Sequence, residues 1–412
     1  MIQTDIAILG AGPGGASTAL KLSHLGLPCV LIDKADFPRD KVCGDAISGK
    51  VTTLLHRLDP AIMARFHGMS IQSDVWGMRF YAPNGKRVEV PFPIKSEAGH
   101  APGYVSKRID FDQFLIDEVR RRPDIQLHLN KEISSFKRQE TGWRLQTADG
   151  DFTVNCRLLV VADGAHSRFS RTIAGLEKDT AHHAAALRAY YRNVGDLSER
   201  GFIELHFIHD ITPGYFWIFP LPDGMANVGL GMRSDILAKK GLNLKETLRW
   251  IIEKHPTISE RFKDAELIGK VHGFGLPLGS KPRPISGDHY VLVGDAGHLV
   301  DPITGEGIGN ACYSGFIAAE LAEKCVQEND FSAARLQAYD IRVARVLGSE
   351  MALSYRLQKL LAYPRVVNFM ARVVAGNQRM MQVLSRMYAD FDLRLELARP
   401  WFWIKMFFTG KR

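Results

Sequence analysis

Short apolar runs that end at a glycine or an aspartate recur along this chain. The four clearest runs are residues 6–9 before Gly10, 28–32 before Asp33, 158–162 before Asp163, and 290–293 before Gly294. Runs of this length between turn residues are typical of strands that are buried on both faces of a parallel sheet. Helical patterns follow at residues 15–25 and 311–326. The alternation of strand and helix predicts an α/β fold.

Other segments have the turn signals and short spacing of antiparallel strands. Asn84-Gly85, between residues 75–81 and 87–92, predicts a hairpin. Residues 131–154 predict a short meander. A further sheet is predicted from strands at 187–192, 202–208, 215–220 and 226–232. Residues 244–255 predict a helix, and the pattern from residue 331 onward is helical and amphipathic, with a break at Pro364.

A glycine-rich turn follows the first strand and opens the first helix. Such a turn lets the backbone approach a pyrophosphate, and the helix N-terminus offers unpaired N–H groups to the phosphates. Asp33, at the end of the second strand, suits a pair of ribose hydroxyls, with Lys34 beside it. The predicted contacts of this turn are Gly10, Gly12, Pro13, Gly14 and Gly15. Strand, turn, helix, strand and acid together predict a dinucleotide site.

Two later segments indicate that the dinucleotide is FAD. Asp163-Gly164 and Gly294-Asp295 each stand at the end of an apolar strand, where a carboxylate can bind a ribityl or ribose hydroxyl. A glycine-rich stretch then leads into a long helix, whose N-terminus could stabilise negative charge on a reduced flavin ring. Its predicted cofactor contacts are Pro302, Gly305, Gly307 and Ile308. The order and separation of the three segments predict an FAD enzyme with redox chemistry.

These segments resemble the flavin monooxygenase and reductase superfamily that has the para-hydroxybenzoate hydroxylase fold. The resemblance covers residues 1–330 and implies that Arg108 lies near the FAD pyrophosphate or ribityl chain. It implies a Rossmann-like FAD-binding domain interleaved with an antiparallel-sheet substrate domain, followed by a C-terminal helical region. The predicted division is 1–75, 100–180 and 270–330 for the FAD-binding domain, 76–99 and 181–269 for the substrate domain, and 331–412 for the helical region.

Two motifs narrow the reaction. Residues 215–220, Tyr-Phe-Trp-Ile-Phe-Pro, resemble the YxWxFP motif of geranylgeranyl reductases, and residues 37–44 resemble that family's proline–lysine–Cys-Gly loop beside the flavin. The resemblance implies reduction of carbon–carbon double bonds in prenyl chains by reduced FAD. Tyr215 and Trp217 would shape the substrate slot, and Cys43, next to Gly44, would deliver a proton. The alternatives are an ordinary half-buried strand for residues 215–220 and a small buried hydrophobic residue or pocket wall for Cys43.

Two other functions stay open at this point. One is an FAD-dependent monooxygenase or halogenase of secondary metabolism, although halogenases typically have a WxWxIP motif and this chain has Tyr215 and Phe219 at the first and fifth positions. The other is a non-catalytic lipid-binding flavoprotein. Because no second glycine-loop domain is evident, the electron donor is expected to be transiently bound NAD(P)H or a ferredoxin.

Composition and charge bear on partners and location. The net charge of the 412 residues is +8, and residues 331–412 hold 14 Lys and Arg against 5 Asp and Glu. No nucleic-acid module or metal-ligand spacing is evident, so this basic segment indicates an anionic lipid, a phosphorylated substrate or merely a solvated helix face. Five scattered cysteines, no signal peptide and no apolar stretch of membrane-spanning length predict a cytoplasmic protein.

The C-terminal end is rich in aromatic residues. Residues 401–408 contain five aromatic side chains with cations nearby, which predicts either a peripheral membrane contact or a cap over the protein's own substrate tunnel. The expected partner is a prenyl lipid or another apolar small molecule. The sequence makes no prediction of the oligomeric state.

Overall fold

The computed structural model describes residues 1–93, 99–377, 380–382 and 385. In this part of the chain the strands form three sheets. The strands are β1 (Ile2–Leu9), β2 (Cys29–Ile32), β3 (Ala46–Ile47), β4 (Gln72–Val75), β5 (Gly77–Tyr81), β6 (Arg87–Pro91), β7 (Gly103–Ser106), β8 (Ile125–His128), β9 (Ile133–Gln139), β10 (Gly142–Thr147), β11 (Thr153–Val161), β12 (His183–Arg192), β13 (Phe202–His206), β14 (Tyr215–Pro220), β15 (Met225–Arg233), β16 (Glu266–Pro277), β17 (Ser286–Gly287) and β18 (Tyr290–Leu292). The helices are α1 (Pro13–His24), α2 (Gly49–Leu58), α3 (Pro60–His67), α4 (Arg108–Arg120), α5 (Arg168–Thr172), α6 (Ser234–Lys240), α7 (Leu244–Lys254), α8 (Ile308–Glu328), α9 (Ala333–Val343), α10 (Ser349–Leu361) and α11 (Pro364–Ala375).

The largest sheet has a parallel centre in the order β18-β11-β1-β2-β8. The last four residues of β1 and all of β2 are buried, because these strands lie in the middle of the sheet within one large apolar core. Helices α1 and α8 pack against each other, and at Gly315 an added Cβ would lie 2.7 Å from the Gly14 carbonyl oxygen. This close approach brings the start of α8 to the glycine turn that opens α1.

The second sheet has seven strands in the order β16-β12-β15-β14-β13-β5-β6, antiparallel except for the pair β13–β5. One face packs on α7, where Leu248 and Ile251 join Phe216 and Ile218 in one apolar cluster. The side chains that alternate with these two point to the opposite face. That opposite face is the one that looks toward the cofactor domain.

A small sheet in the order β3-β7-β4 connects the two larger ones. Strand β3 begins directly after residues 43–45, which we call the cysteine loop. Helices α9 to α11 follow α8, and α11 begins at Pro364, where the missing N–H costs no helical hydrogen bond. Val367 of α11 reaches the apolar cluster on the cofactor-facing side of the seven-stranded sheet.

The predicted fold class is confirmed, with both the interleaved sheets and the C-terminal helices present. The hairpin at Asn84-Gly85 and the meander before β11 also occur as predicted. Strand β16 continues in the seven-stranded sheet to Pro277. The predicted substrate domain ends at residue 269, so this strand runs past the predicted end of that domain. Its glycines and exposed polar residues hide the strand pattern from sequence alone. The division into domains stays a prediction.

Among the described residues, no helix is long and apolar enough to cross a membrane. The predicted membrane contact of residues 401–408 lies outside the described residues. The five cysteines are all free thiols, and four of them are buried.

Candidate active site

The glycine turn after β1 is shaped by three close backbone approaches. Gly10 has a φ of +100°, and an added Cβ there would lie 2.4 Å from the Ala162 carbonyl oxygen. An added Cβ at Gly15 would lie 1.7 Å from the Gly10 carbonyl oxygen. The Asp33 carboxylate accepts the N–H of Ala11 at 2.7 Å and thereby holds the turn against the end of β2. Glycine is therefore required at both positions, and the N-terminus of α1 is left open to a phosphate.

A pair of arginines shares one buried aspartate beside this turn. Arg108 donates to both oxygens of Asp112, each at 2.7 Å, and Arg39 donates to the same carboxylate at 3.0 Å. An added Cβ at Gly12 would lie 3.4 Å from the Arg39 guanidinium. The Arg39 guanidinium therefore lies both against this carboxylate and beside the glycine turn. The place of Arg108 near the pyrophosphate or ribityl chain stays a prediction.

Lys41 joins the Asp-Gly and Gly-Asp segments. Its ammonium forms an ion pair with Asp295 at 3.2 Å and lies about 4.0 Å from the Cβ position of Gly164. The other oxygen of Asp295 lies 3.0 Å from the Cβ position of Gly307. The segments around residues 41, 164, 295 and 307 thus meet at one place, although they are far apart in sequence.

Asp163 stands at the end of β11 with one oxygen unsatisfied. Its Oδ1 is buried and has no hydrogen-bond partner among the described residues. Burial raises the pKa of Asp163 to about 6, while a hydrogen bond to Ser167 and the nearby Lys34 act in the opposite direction. Lys34 itself is exposed. A buried acceptor of this kind favours a ligand hydroxyl that donates to it.

Tyr215 and Trp217, which were predicted to shape the substrate slot, share one face of β14 with Phe219, and we call these three side chains the aromatic wall. Neighbouring ring centroids of Tyr215, Trp217 and Phe219 lie 6.0 and 6.2 Å apart. The Tyr215 hydroxyl donates to the Thr304 carbonyl oxygen at 2.6 Å, and an added Cβ at Gly305 would lie 3.5 Å from that hydroxyl. The aromatic strand therefore touches the glycine-rich stretch directly.

The glycine-rich stretch is held as a turn before α8. Asp301 Oδ1 accepts the N–H groups of Ile303 and Thr304 at 3.0 and 2.8 Å. Gly305 has a φ of +69°, which favours glycine, and α8 begins at the buried Ile308. Pro302 accepts a hydrogen bond from Gln358 of α10, so the C-terminal helices help to hold this turn.

The cysteine loop lies against the aromatic strand. An added Cβ at Gly44 would lie 3.3 Å from the Phe219 ring. Asn227 of β15 connects the two: its Oδ1 accepts the Trp217 indole N–H at 2.9 Å, and its Nδ2 donates to the Cys43 carbonyl oxygen at 2.9 Å. Burial raises the pKa of the Cys43 thiol, although Arg108 and Lys41 act against this. The predicted catalytic residues Cys43 and Trp217 are thus brought together.

Comparison with known proteins decides the family. Residues 3–199 match the FAD binding domain family, and residues 183–274 match the geranylgeranyl reductase catalytic domain. The digeranylgeranylglycerophospholipid reductase 2 of Methanopyrus kandleri is 32% identical over 87% of this chain and 87% of its own. This chain belongs to the geranylgeranyl reductase family.

Solved structures agree with this reductase in fold. A geranylgeranyl bacteriochlorophyll reductase-like protein from Thermoplasma acidophilum matches with a TM-score of 0.80 at 24% identity, covering 97% of this chain and 100% of its own. A flavin-dependent brominase matches with a TM-score of 0.75 at 21% identity, covering 94% of this chain and 93% of its own. At these identities the likeness extends to the fold alone. The reductase is an FAD-dependent oxidoreductase.

The residues present in this reductase fit FAD. The open turn at Gly10–Gly15, the Arg39 guanidinium beside it, and the unsatisfied oxygen of Asp163 suit a pyrophosphate and a hydroxyl-rich chain. These three features lie along the ends of neighbouring parallel strands, where ligands of open α/β sheets bind.

Sequence reasoning missed several residues of this reductase that the structure brings to the site. Arg39 belongs to the proline–lysine–Cys-Gly loop before Cys43, and Asp45 follows that loop, so their place there was a usable signal. Asn227 stands two residues before Gly229 in the strand after the aromatic one, and no pattern marked it. An amide gains such a role only when tertiary folding brings two polar groups to it.

Proposed function

We propose that this reductase uses reduced FAD to saturate isolated carbon–carbon double bonds in prenyl chains of geranylgeranyl type. The observation that carries the proposal is the contact between the aromatic strand β14 and the cysteine loop. The complete YxWxFP match at residues 215–220, the match to the geranylgeranyl reductase catalytic domain, and the relative named as a digeranylgeranylglycerophospholipid reductase support it.

The apolar face around Trp217 suits an alkene chain. Trp217 and Phe219 belong to one buried cluster with Leu205, Phe207 and Val367. Apolar and aromatic walls bind a flat hydrocarbon and exclude water. The exclusion of water strengthens the electrostatic interactions between the protein and the reacting groups. We assign the substrate chain to this face, with Tyr215 and Trp217 shaping the slot.

Bound, reduced FAD supplies the hydride that one alkene carbon receives. The other carbon needs a proton from the protein, and we assign this role to the Cys43 thiol. Its raised pKa keeps the thiol protonated at neutral pH, so a proton is available. The Tyr215 hydroxyl already donates to the Thr304 carbonyl oxygen, which suits it to position the glycine-rich turn.

The remaining predicted residues are assigned to cofactor binding. The glycine turn, Asp33 and Lys34 would hold the ADP portion, with Arg39 and Arg108 neutralising the pyrophosphate. The ribityl chain and flavin ring would be held by Cys43, Gly44, Asp163, Gly164, Gly294, Asp295, Pro302, Gly305, Gly307 and Ile308.

An anaerobic half-reaction tests the function. The FAD-loaded protein is reduced with dithionite, the excess is removed, and a geranylgeranyl glycerophospholipid is added. We expect flavin reoxidation together with a mass gain of two hydrogens per double bond. A flavin that stays reduced until air enters would contradict the proposal. A saturated phytanyl lipid is the matched control, because it offers the same head group without an alkene.

Two outcomes would favour the alternatives. Substrate-stimulated oxygen consumption with a hydroxylated or halogenated product would indicate a monooxygenase or halogenase. Flavin that neither NAD(P)H nor reduced ferredoxin can reduce would indicate a non-catalytic flavoprotein. The same two donors, compared under anaerobic conditions, identify the source of electrons.

Membrane contact of the C-terminal segment stays a prediction, to be measured by vesicle sedimentation.

A further inference from the structure

A buried carboxylate, Asp45, closes the cysteine loop and is not among the cofactor contacts described above. Its side chain is inaccessible to solvent. Asp45 Oδ2 accepts hydrogen bonds from the Tyr190 hydroxyl and the Asn227 side-chain amide, both at 2.7 Å. Asp45 Oδ1 accepts a hydrogen bond from the backbone N–H of Arg108 at 3.3 Å. Burying a carboxylate is costly unless it is well satisfied. Three donors from three different elements therefore hold this group in one place.

Asn227 extends the contacts of Asp45 to the aromatic strand. The amide that donates to Asp45 also donates to the Cys43 carbonyl oxygen, while its own oxygen accepts the Trp217 indole. All of these atoms are buried or half-buried. Asp45 is thus connected to both residues that we assign to the reaction.

The charges around Cys43 oppose one another. Arg108 and Lys41 favour the thiolate, since cations lower the pKa of a neighbouring thiol. Burial and the Asp45 carboxylate favour the thiol, and the Tyr215 hydroxyl also lies within electrostatic reach of Cys43. A thiolate has no proton to give to an alkene. Burial is the largest influence on the thiol, and the Asp45 carboxylate is the acidic group that opposes the two cations.

Asp45 is itself surrounded by groups that keep it charged. The Arg188 guanidinium and the Lys107 ammonium lie over the Tyr190 ring, at 4.3 and 5.5 Å from its centroid. Arg188 also pairs with Asp40 at 2.7 Å. Burial raises the pKa of Asp45 to about 6, while the hydrogen bonds from Tyr190 and Asn227 and the charges of Arg188 and Arg108 oppose the rise. Asp45 is therefore ionised at neutral and alkaline pH.

We propose that Asp45 is a positioning residue that holds the cysteine loop against the aromatic strand and keeps the Cys43 thiol protonated against the influence of Arg108 and Lys41. The proposal rests on the proposed function only for the use of that proton. The state of the thiol is a property of the chain and can be measured without turnover.

The test is the pH dependence of Cys43 alkylation in the FAD-loaded protein. Iodoacetamide reacts with the thiolate, and peptide mass spectrometry separates Cys43 from the four buried cysteines. In the wild type we expect the midpoint above the ordinary thiol value of about 8.5. In Asp45→Asn we expect the midpoint to fall by about one pH unit, because the carboxylate that opposes Arg108 and Lys41 is gone.

Asp40→Asn is the matched control, since it removes a neighbouring carboxylate that is exposed and paired with Arg188. Its midpoint should equal that of the wild type. An unchanged midpoint in Asp45→Asn would overturn the proposal, and so would a wild-type midpoint at or below the ordinary value. If Asp45→Asn does not bind FAD, Asp45→Ser removes the same charge with a smaller side chain and is judged by the same shift.

An activity measurement separates this proposal from the proposed function. The pH above which prenyl reduction is lost should be lower in Asp45→Asn than in the wild type. The difference should equal the fall of the alkylation midpoint. A shifted alkylation midpoint without any prenyl reduction would overturn the proposed function and leave the role of Asp45 in setting the thiol intact. Reduction with an unshifted midpoint would overturn the role of Asp45 alone.

Discussion

A single carboxylate oxygen illustrates how one residue prepares the site for its cofactor. Asp163 Oδ1 is buried without a partner among the described residues, and burial raises the pKa of Asp163 to about 6. A flavin hydroxyl that donates to this oxygen would favour the ionised form. We therefore expect binding of FAD and ionisation of Asp163 to be linked.

FAD affinity should consequently depend on the protonation of Asp163. Because the hydroxyl favours the carboxylate, the affinity is full above about pH 6 and falls as the pH drops below it, by up to about tenfold per unit. Flavin fluorescence titrations of the apoprotein between pH 5 and pH 8 measure this. Asp163→Asn should bind FAD more weakly and lose the dependence of FAD affinity on pH. Asp151→Asn changes an exposed residue and should keep that dependence. An Asp163→Asn protein with the wild-type slope would contradict the assignment.

Cys43 is the residue to which we assign proton delivery. Cys43→Ala should lower the rate of prenyl reduction by about 10²-fold or more while FAD stays bound, because loss of a general acid has an effect of this size. Cys325→Ala, which removes a buried thiol near the end of α8, is the control and should keep the wild-type rate. Single-turnover reoxidation of the reduced flavin measures both. Full turnover in Cys43→Ala would remove Cys43 from the mechanism.

At the scale of elements, the aromatic wall depends on the strand beside it. Trp217 of β14 faces Gly229 of β15, and an added Cβ at Gly229 would lie 2.1 Å from the indole and 2.3 Å from the Leu187 carbonyl oxygen. Gly231, two residues along the same strand, has ordinary spacing of 3.7 Å to its neighbours. The Trp217 indole therefore needs the absence of a side chain at Gly229 but not at Gly231.

This difference predicts opposite results for two glycine substitutions. Gly229→Ala should lower the free energy of unfolding by about 2 kcal/mol and displace the indole, because overpacking costs 1–3 kcal/mol. Gly231→Ala should be neutral or slightly stabilising, since alanine restricts the unfolded chain. Urea unfolding of both variants, with tryptophan fluorescence as the readout, measures the difference. Equal stabilities would show that β15 does not constrain Trp217.

At the scale of the whole molecule, the FAD site is assembled from segments that are distant in sequence. The ion pair between Lys41 and Asp295 spans 254 residues, and the start of α8 packs beside the glycine turn of α1. A ligand held by all of these segments binds the folded chain and not the unfolded one. Its binding free energy is added to the stability of the fold.

Removal of FAD should therefore lower thermal stability. At a free FAD concentration of 100 times its dissociation constant, the stabilisation is about 2.7 kcal/mol, enough to raise the melting temperature by a few degrees. Calorimetry of the apoprotein with and without FAD measures the shift. Riboflavin, which lacks the ADP portion, should give a smaller one. Equal melting temperatures with and without FAD would mean that the segments are assembled without help from the cofactor.

The sequence by itself determined the strands, the turns and the class of cofactor. The run before Gly10, the hairpin at Asn84-Gly85 and the aromatic alternation in residues 215–220 are local patterns. Local patterns report strand period and turn chemistry directly, because a strand has a period of two and a turn needs particular residues. The α/β class followed from these patterns, whereas the interleaved substrate domain followed from the resemblance to the flavoprotein superfamily.

Only the tertiary structure decided which polar groups meet. Arg39 lies beside Gly12, and both Arg39 and Arg108 are paired with Asp112. Asn227 and Asp45 are 182 residues apart and lie 2.7 Å from each other. Such pairs depend on how sheets and loops pack together, and no periodicity in the chain encodes the distance between two segments. The chemistry assigned to Cys43 comes from this packing, since burial and the charges around the thiol exist only in the folded chain.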